Sequence, residues 1–557
     1  LELAAVIVKA KKFGNEPLNE LSIVSTRSFG VEETQRFAAS ANDPSRMVLG
    51  FPGVQPSRDN RSDIVIRGNS SIGLLWRLEG IDIPNPNHFA RKGSSGGGIT
   101  VFSLSMLNNS DFSTAAFPAE YGNAFSGVFD MKFRTGNKEK TEYTFKAGML
   151  GLEFSTEGPI QKGRSSYLLN YRYSTLGILN AFDIRLVDER TSNTFQDLSF
   201  KLDFQSKDYK HRVSTWGIGG LSDEFFEAVE EVDNWRSYTD YLTRDFDTDM
   251  GAIGLTHTWQ VDDNSYLKTS LALMGQQVNF RNDTLNRDRI ATTINDESYR
   301  NDRLSFATLY FWKLSSKTAL KTGLFVSRLF YDLERLFLID DQYNTFLDQK
   351  GQSTLIQPFA SVRTSLNTRT SLVIGIHAVY FDLNQSYSIE PRLGLRYQLN
   401  AEQSVRLGYG LHGRILPIGS YFYRDGTDLP NLDLGLIKAH HFVLGYDYVT
   451  EKGIKFTAEA YFQHLFDVPV STDLNSTFSL LNKLEGFARR PLTNEGTGRN
   501  YGLDISLEKA FRSGTFFVLA ASIYDSQYSP LNGQSYSTTY NGNFTISTVA
   551  GKEWSFS

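Results

Sequence analysis

QDLSFKLDFQ, residues 196–205, alternates polar and apolar side chains from Asp197 onward. Its apolar positions are Leu198, Phe200, Leu202 and Phe204, and the residues between them are polar or charged. Because successive side chains of a β-strand point to opposite faces, this segment is predicted to be a strand with one apolar and one polar side. The runs 392–399 and 501–508 show the same alternation.

Similar runs recur from residue 141 to residue 551 and predict about 18 strands. They lie near 141–149, 152–158, 164–173, 196–205, 210–218, 250–260, 265–274, 303–314, 319–331, 354–365, 371–381, 389–399, 404–412, 441–449, 454–463, 500–509, 515–524 and 543–551. Between them, short polar links such as Ser206–Tyr209 alternate with links that are mostly long, such as 219–249, 275–302 and 332–353. Short turns on one rim and long loops on the other are typical of an antiparallel transmembrane β-barrel of the outer membrane, with the long loops extracellular and the short turns periplasmic. A β-sandwich or propeller requires no such alternation of link lengths.

The composition of the 557 residues excludes several other classes. A net charge of −5 gives no reason to expect nucleic acid as a partner, and the absence of cysteine excludes disulfide scaffolds and thiol chemistry. No run approaches the ~18 apolar residues that a membrane-spanning helix needs, so a membrane would have to be crossed by strands. No catalytic signature is present, and we expect no enzyme activity, no cofactor and no metal site.

Residues 21–135 do not repeat the strand pattern and predict a small mixed α/β domain. Asp43 followed by Pro44 is a good helix start, Ile64–Ile66 is a short buried strand, and residues 84–98 favour loops. The predicted organisation is therefore a linker at residues 1–20, this domain at 21–135, and the barrel at 136–557.

Four stretches of this domain resemble, in order, the plug of TonB-dependent receptors, especially the Bacteroidota-type branch with a carboxypeptidase-regulatory-like domain upstream. They are Asp43-Pro44-Ser45-Arg46-Met47 leading to Phe51-Pro52-Gly53-Val54, then Ile64-Val65-Ile66-Arg67-Gly68, Leu78-Glu79-Gly80-Ile81-Asp82-Ile83-Pro84, and FPAEYGNAFSGVFD at 117–130. Many relatives carry Asp-Gly where this sequence has Glu79-Gly80. The resemblance implies a plug inside the lumen of a 22-stranded barrel. Since about 18 strands are visible, we expect the given sequence to lack the last four strands and some residues before Leu1.

The resemblance also suggests where the partner that supplies energy would bind. Residues Ala4, Ala5, Val6, Ile7, Val8, Lys9 and Ala10 are similar to a TonB box, an extended segment that adds a strand to TonB, which works with its inner-membrane energising complex. The alternative is a strand that leaves a preceding domain. Outer-membrane lipid is the second expected partner. A surface lipoprotein lid or a larger outer-membrane complex is a possible third partner.

Two stretches are candidates for ligand contact. Asn85, Asn87, His88, Phe89 and Arg91 would lie near the plug apex, where they either contact ligand or pin the plug to the wall. The segment 219–249 carries ten acids against two arginines, which favours a solvated surface loop over a cation site. The implied function is TonB-dependent import of a scarce nutrient, whether a metal chelate, an oligosaccharide or a peptide. The alternative is an outer-membrane platform for surface lipoproteins without transport.

Overall fold

The computed structural model describes residues 16–554 except 38–39, 41–42, 59–60, 149–150, 181, 183, 185–188 and 513. The described chain forms two bodies, a small domain up to Met131 and a 19-stranded antiparallel sheet from Glu142 to Lys552. Among the described residues, no helix is long and apolar enough to cross a membrane.

In its described residues the small domain, called the plug below, has nine short strands and two short α-helices. They are β1 Thr26–Phe29, α1 Val31–Arg36, α2 Pro44–Met47, β2 Val54–Pro56, β3 Ile64–Ile66, β4 Leu74–Leu78, β5 Ile81–Asp82, β6 Asn87–His88, β7 Ile99–Thr100, β8 Ser110–Ser113 and β9 Gly127–Met131. Its main sheet has the order β1-β8-β9-β4-β5, in which only the pairing of β4 with β9 is parallel.

The two local predictions for the plug are confirmed. Helix α2 begins at Pro44, and the Asp43 carboxylate accepts a hydrogen bond from the Ser45 N–H at 2.7 Å, which satisfies a donor left free at a helix start. Strand β3 is buried along its whole length. The core of the main sheet is aromatic, with the Trp76 and Phe129 rings stacked at 4.5 Å.

The large sheet contains 18 longer strands and one two-residue strand, β27. The strands are β10 Glu142–Gly148, β11 Gly151–Gln161, β12 Ser165–Tyr173, β13 Thr191–Gln205, β14 His211–Phe226, β15 Leu242–Asp262, β16 Ser265–Leu285, β17 Ala291–Lys313, β18 Thr318–Ile339, β19 Gln342–Ser365, β20 Thr370–Phe381, β21 Ser386–Gln398, β22 Gln403–Arg414, β23 Ile437–Val449, β24 Ile454–Ser471, β25 Leu492–Arg512, β26 Thr515–Ser529, β27 Tyr536–Ser537 and β28 Phe544–Lys552. A helix, α3 Thr175–Asn180, follows β12. Neighbours in sequence pair antiparallel along the sheet, and β28 also pairs directly with β26. Each of the 18 predicted strands overlaps one of the longer strands.

The two faces of the wall have the predicted polarity. Leu198 and Phe204 are 45% and 40% exposed, whereas Ser199 and Asp203 on the other face are fully buried. Inward wall residues such as Trp216, Met250 and Phe359 share one continuous core with Met47 and Trp76 of the plug. The plug therefore lies in the lumen of a barrel whose apolar side faces outward, as predicted.

Several links predicted to be long are shorter than expected. Residues 275–302 and 332–353 are mostly strand, and the links there are only 286–290 and 340–341. The links at 174–190, 227–241, 415–436, 472–491 and 530–543 remain long and share one rim, the long-loop rim. The opposite rim, the short-turn rim, carries turns such as 206–210 and 263–264. Within the described residues, no pairing joins β10 to β28, so the sheet has two free edges.

Candidate functional site

The plug loop at residues 84–98 reaches the long-loop rim and contacts the wall and one long loop. The backbone oxygen of Lys92 accepts a hydrogen bond from the N–H of Gly486 in the loop 472–491 at 2.7 Å. All five predicted contact residues lie in this apex loop.

Asn85 and Asn87 hold the apex loop together. The amide of Asn85 donates to the backbone oxygen of Gly96 at 2.9 Å, and the amide of Asn87 donates to Asn85 Oδ1 at 2.7 Å. The hydroxyl of Ser62 donates to Asn87 Oδ1 at 2.9 Å. Both asparagines are buried, and their bonds close the loop upon itself.

His88 joins the plug to the wall. Its Nε2 lies 3.0 Å from Asp197 Oδ2 on β13, and its ring centroid is 4.7 Å from that of Phe195. Arg172 Nε donates to the same Asp197 oxygen at 2.8 Å. Burial lowers the pKa of His88 despite the neighbouring carboxylate, so the ring is held in its neutral form.

Phe89 and Arg91 are the two predicted residues that stay partly exposed. Phe89 has a left-handed backbone (φ 56°), and its N–H donates to Ser222 Oγ at 3.0 Å. The guanidinium of Arg91 lies 4.7 Å from the ring centroid of Phe246 and is 4.0 Å from the carboxylates of Glu224 and Glu485. The structure thus brings the five residues into one loop, but only these two have side chains that remain partly accessible.

Arg91 lines a cavity of about 360 Å³ between the plug apex and the wall, called the rim chamber below. Its charged lining is Arg91, Lys92, Arg335, Arg489, Glu297 and Glu485, and its aromatic lining is Phe246, Phe280, Tyr299 and Phe337. The amides of Asn282 and Asn295 also face it. Aromatic walls with a few convergent polar groups are typical of ligand sites.

The rim chamber has an excess of positive charge. Four cations face two carboxylates, which leaves a formal charge of +2. The Lys92 ammonium contacts Glu297, whose other oxygen lies 3.1 Å from Arg335 Nε. Among the residues that the structure describes, Arg335 Nη2 is buried without a hydrogen-bond partner. Burial and the neighbouring Arg335 and Arg489 lower the pKa of Lys92 to about 6, so the positive charge of the chamber at neutral pH is smaller than the formal count.

Two plug residues that the sequence did not single out as site residues anchor the plug below the apex. Arg67 Nη2 lies 2.7 Å from Glu459 and its Nε 2.8 Å from Asp504, on β24 and β25. Glu79 accepts from Lys201 Nζ of β13 at 2.8 Å. Burial alone would raise the pKa of Glu79, but Lys201 and Lys268 hold it below its ordinary value. Arg67 and Glu79 both have left-handed backbone, and each is followed by a glycine. A charged residue before a glycine, at the end of a buried strand, is therefore the sequence pattern that could have identified these two anchors.

The predicted TonB-box residues, Ala4 to Ala10, lie outside the described residues. The first described segment runs along the plug on the side of the short-turn rim. There the Asp111 carboxylate accepts the N–H groups of Leu18 and Asn19, each at 2.9 Å, and Glu20 lies 3.2 Å from Arg363 of the wall.

The acidic segment 219–249 is partly strand rather than loop. Asp223 lies on β14 directly opposite Asp247 on β15, and residues 227–241 form the link. Within the described ranges, no group of three or more His, Asp or Glu side chains is arranged to hold a metal ion.

Comparison with known proteins gives the family. Residues 183–556 match the model of the family described as TonB dependent receptor-like, beta-barrel. No curated protein matches the chain. Among solved structures, the chain is similar to the outer membrane transporter YddB from Escherichia coli, with a TM-score of 0.67, 14% identity, and coverage of 94% of this chain and 83% of that one. It is also similar to the siderophore receptor PirA from Acinetobacter baumannii (TM-score 0.63, 14% identity, 91% and 83% covered) and to the FrpB iron transporter from Neisseria meningitidis (TM-score 0.64, 12% identity, 94% and 84% covered). These likenesses concern the fold, whereas the family model spans well over half of the sequence, and the chain therefore belongs to the TonB-dependent receptor family of outer-membrane β-barrels.

Proposed function

We propose that the protein actively imports a scarce nutrient across the outer membrane with energy supplied through TonB. The observation that carries this proposal is the rim chamber, which lies on one side of a plug that fills the barrel. The long-loop rim is then extracellular and the short-turn rim periplasmic. In this assignment residues 1–20 are the linker that carries the TonB box, 21–135 the plug and 136–557 the barrel.

The transport cycle follows from differential binding. Ligand in the rim chamber contacts Arg91 and Lys92 of the plug together with Arg335 and Arg489 of the wall and loop. Occupancy then shifts the plug towards a conformation in which residues 4–10 are available to TonB. TonB pairs with them as an added strand, and force from the inner-membrane proton gradient remodels the plug.

The charge of the rim chamber narrows the substrate class. A formal excess of +2, with an unpartnered buried guanidinium nitrogen, favours an anionic ligand such as a negatively charged metal chelate or an acidic oligosaccharide or peptide. The four aromatic side chains would pack against its apolar or ring-shaped parts.

Growth in a complex medium tests the transport proposal and identifies the ligand in the same experiment. Mass spectrometry identifies anionic compounds that cells expressing the protein remove from the medium. Deletion of residues 4–10 is expected to abolish their removal while the protein still assembles in the outer membrane. If depletion is unchanged and the protein retains surface lipoproteins, the protein is a platform rather than a transporter.

The role of the rim chamber is tested with the paired change Arg335→Gln and Arg489→Gln. The expected result is loss of depletion with normal assembly, because the chamber then loses its excess charge. Arg281→Gln is the matched control, since Arg281 is half exposed and pairs with Asp283 at 2.9 Å outside the chamber lining. Equal depletion by all variants would contradict ligand binding in this chamber.

A further inference from the structure

The outward face of the barrel wall carries a row of glycines on three adjacent strands. Gly219 of β14 pairs with Gly251 of β15, which pairs with Gly275 of β16. The row continues to Leu198 on one side and to Asp302 and Phe330 on the other. Directly opposed residues of antiparallel strands share a face, and Leu198 and Phe330 are 45% and 41% exposed, so the glycines face outward.

The middle of this row is bare. A β-carbon on Gly251 would have no atom within 4 Å, and one on Gly219 would meet only backbone, the nearest atom being the oxygen of Met250 at 3.4 Å. Elsewhere in the wall, aromatic rings cover glycines, as Phe200 covers Gly217 and Trp216 covers Gly254. Neither Gly219 nor Gly251 has positive φ, so backbone conformation does not require glycine there.

The bare glycines form the floor of a groove of about 760 Å³. Its sides are mainly apolar and include Tyr171, Leu198, Leu221, Ile253, Leu273 and Phe330. This volume lies within the range of about 300–1,000 Å³ that is typical of ligand sites. In an empty groove the lining side chains lack dispersion contacts on one side. Binding of a molecule that fills the groove restores these contacts and is therefore favourable.

The groove lies where the apolar band of the wall ends. On the side of the short-turn rim, the next outward row contains Ile253, Leu273 and Leu304. On the side of the long-loop rim, the next row begins with Leu221 on β14 and is polar on the three following strands, where it contains Asp249, Gln277 and Arg300. The groove is thus continuous with the lipid-facing surface below it and adjoins polar groups above it, which is the level at which a lipid headgroup meets its acyl chains.

We propose that this groove binds one acyl chain of a lipid in the outer leaflet, with the lipid headgroup beside Gln277 and Arg300. The occupant is hydrocarbon because the groove opens onto the hydrocarbon layer and is continuous with the apolar wall. The outer-leaflet assignment rests on the proposed orientation, whereas the acyl-chain site itself does not depend on transport. The bound chain packs against backbone that side chains cover elsewhere in the wall.

Photolabelling in liposomes tests the site. The full chain is reconstituted with a phospholipid that carries a diazirine on one acyl chain, is irradiated, and the labelled residues are mapped by mass spectrometry. Labelling is expected to be several-fold higher on 217–221, 251–253 and 271–275 than on 458–462, the outward segment of a distant strand. Uniform labelling of the wall would overturn the proposal.

Filling the groove provides the second arm. The pair Gly219→Leu and Gly251→Leu is expected to lose most of the excess labelling, whereas Ala460→Leu, at an exposed outward position of β24, should leave it unchanged. Heat-dependent gel migration shows whether each variant is folded. If the double variant does not fold, Gly251→Val alone replaces it, because a β-carbon on Gly251 has no atom within 4 Å. Unchanged labelling in the folded variants would refute the site. A further check places a photoreactive residue at Leu221 in cells, and a crosslink to a protein instead of a lipid would also refute the site.

Discussion

Arg67 Nε of the plug lies 2.8 Å from Asp504 Oδ2 of the barrel wall, and both side chains are almost completely buried. The second carboxylate, from Glu459, is 2.7 Å from Nη2, and the guanidinium lies 4.2 Å from the ring centroid of Tyr461. Burial on its own would lower the pKa of Arg67, but Asp504 and Glu459 hold it above its ordinary value. A buried cation with two wall carboxylates makes this contact a principal attachment of the plug.

Replacing Arg67 with Met is expected to loosen the plug within an intact barrel. The change leaves the buried carboxylate of Asp504 without its cation and Glu459 with Arg406 alone, and an uncompensated buried charge costs about 3–5 kcal/mol. The measurement is the denaturant concentration at which a protease begins to cleave the plug. Arg281, which is half exposed and pairs with Asp283, supplies the control, because Arg281→Gln should change stability by about 0–1 kcal/mol. Equal protease resistance in both variants would contradict the assigned role of Arg67.

Replacing Gly68 with Ala should destabilise the protein more than replacing Gly533 with Ala. Both glycines have left-handed backbone (φ +77° and +71°), so each change carries a similar cost of about 1–2 kcal/mol. Only at Gly68 would the β-carbon also meet the wall, 2.5 Å from Ser526 Cβ, whereas Gly533 has open space. Overpacking adds about 1–3 kcal/mol. The difference is measured from the melting temperatures of the two variants in detergent. Equal decreases in melting temperature would show that the plug moves away from Ser526 without cost.

The buried ring of His88 should make plug stability depend on pH. Because burial lowers its pKa in the folded protein, the unfolded chain binds more protons below about pH 6.5, and stability falls as the pH drops through that value. His88→Gln removes this component, so the wild-type protein should lose stability relative to the variant between about pH 7.5 and 5.5. Denaturant titrations across this range measure it. The exposed His211, changed to Gln, is the control, and parallel pH profiles for wild type and the His88 variant would exclude the linkage.

Replacing Asp111 with Ala should release the segment that leads into the plug. The carboxylate accepts two backbone N–H groups, and charge-assisted bonds of this kind contribute about 1.5–3 kcal/mol each. Hydrogen exchange at the amides of Leu18 and Asn19 should therefore accelerate by about tenfold or more. Asn109→Ala, an exposed change two residues away, should leave both rates unaltered. Unaltered rates in the Asp111 variant would mean that other contacts hold the segment.

The sequence predicts the parts of the wall strands that lie within the apolar band, but it does not predict how far the strands extend beyond that band. Strand β16 is predicted at 265–274 but continues to Leu285. In the extension the outward positions Gln277, Asn279 and Arg281 are polar, and the apolar Val278 and Phe280 lie on the inward face, so the apolar outward pattern that marks the strand ends. Strand β27, with two residues, and helix α3 are too short to leave a periodic signal.

The contacts of the site depend on distances along the chain that local patterns cannot bridge. His88 and Asp197 are 109 residues apart, and Arg67 and Asp504 are 437 residues apart. Their meeting depends on the register of the whole sheet and on the position of the plug inside it. The sequence does mark the apex loop, because glycine, proline and asparagine concentrate there, but it cannot tell which of its side chains turn towards the rim chamber.

Strands β18 and β19, of 22 and 24 residues, are joined only by Asp340 and Asp341, whose left-handed backbone (φ 50° and 58°) suits a tight hairpin turn. A hydrogen-bonded ladder of this length does not swing as a flexible lid does. On this side, the long-loop rim is therefore a paired hairpin and not a loop that could close over the lumen.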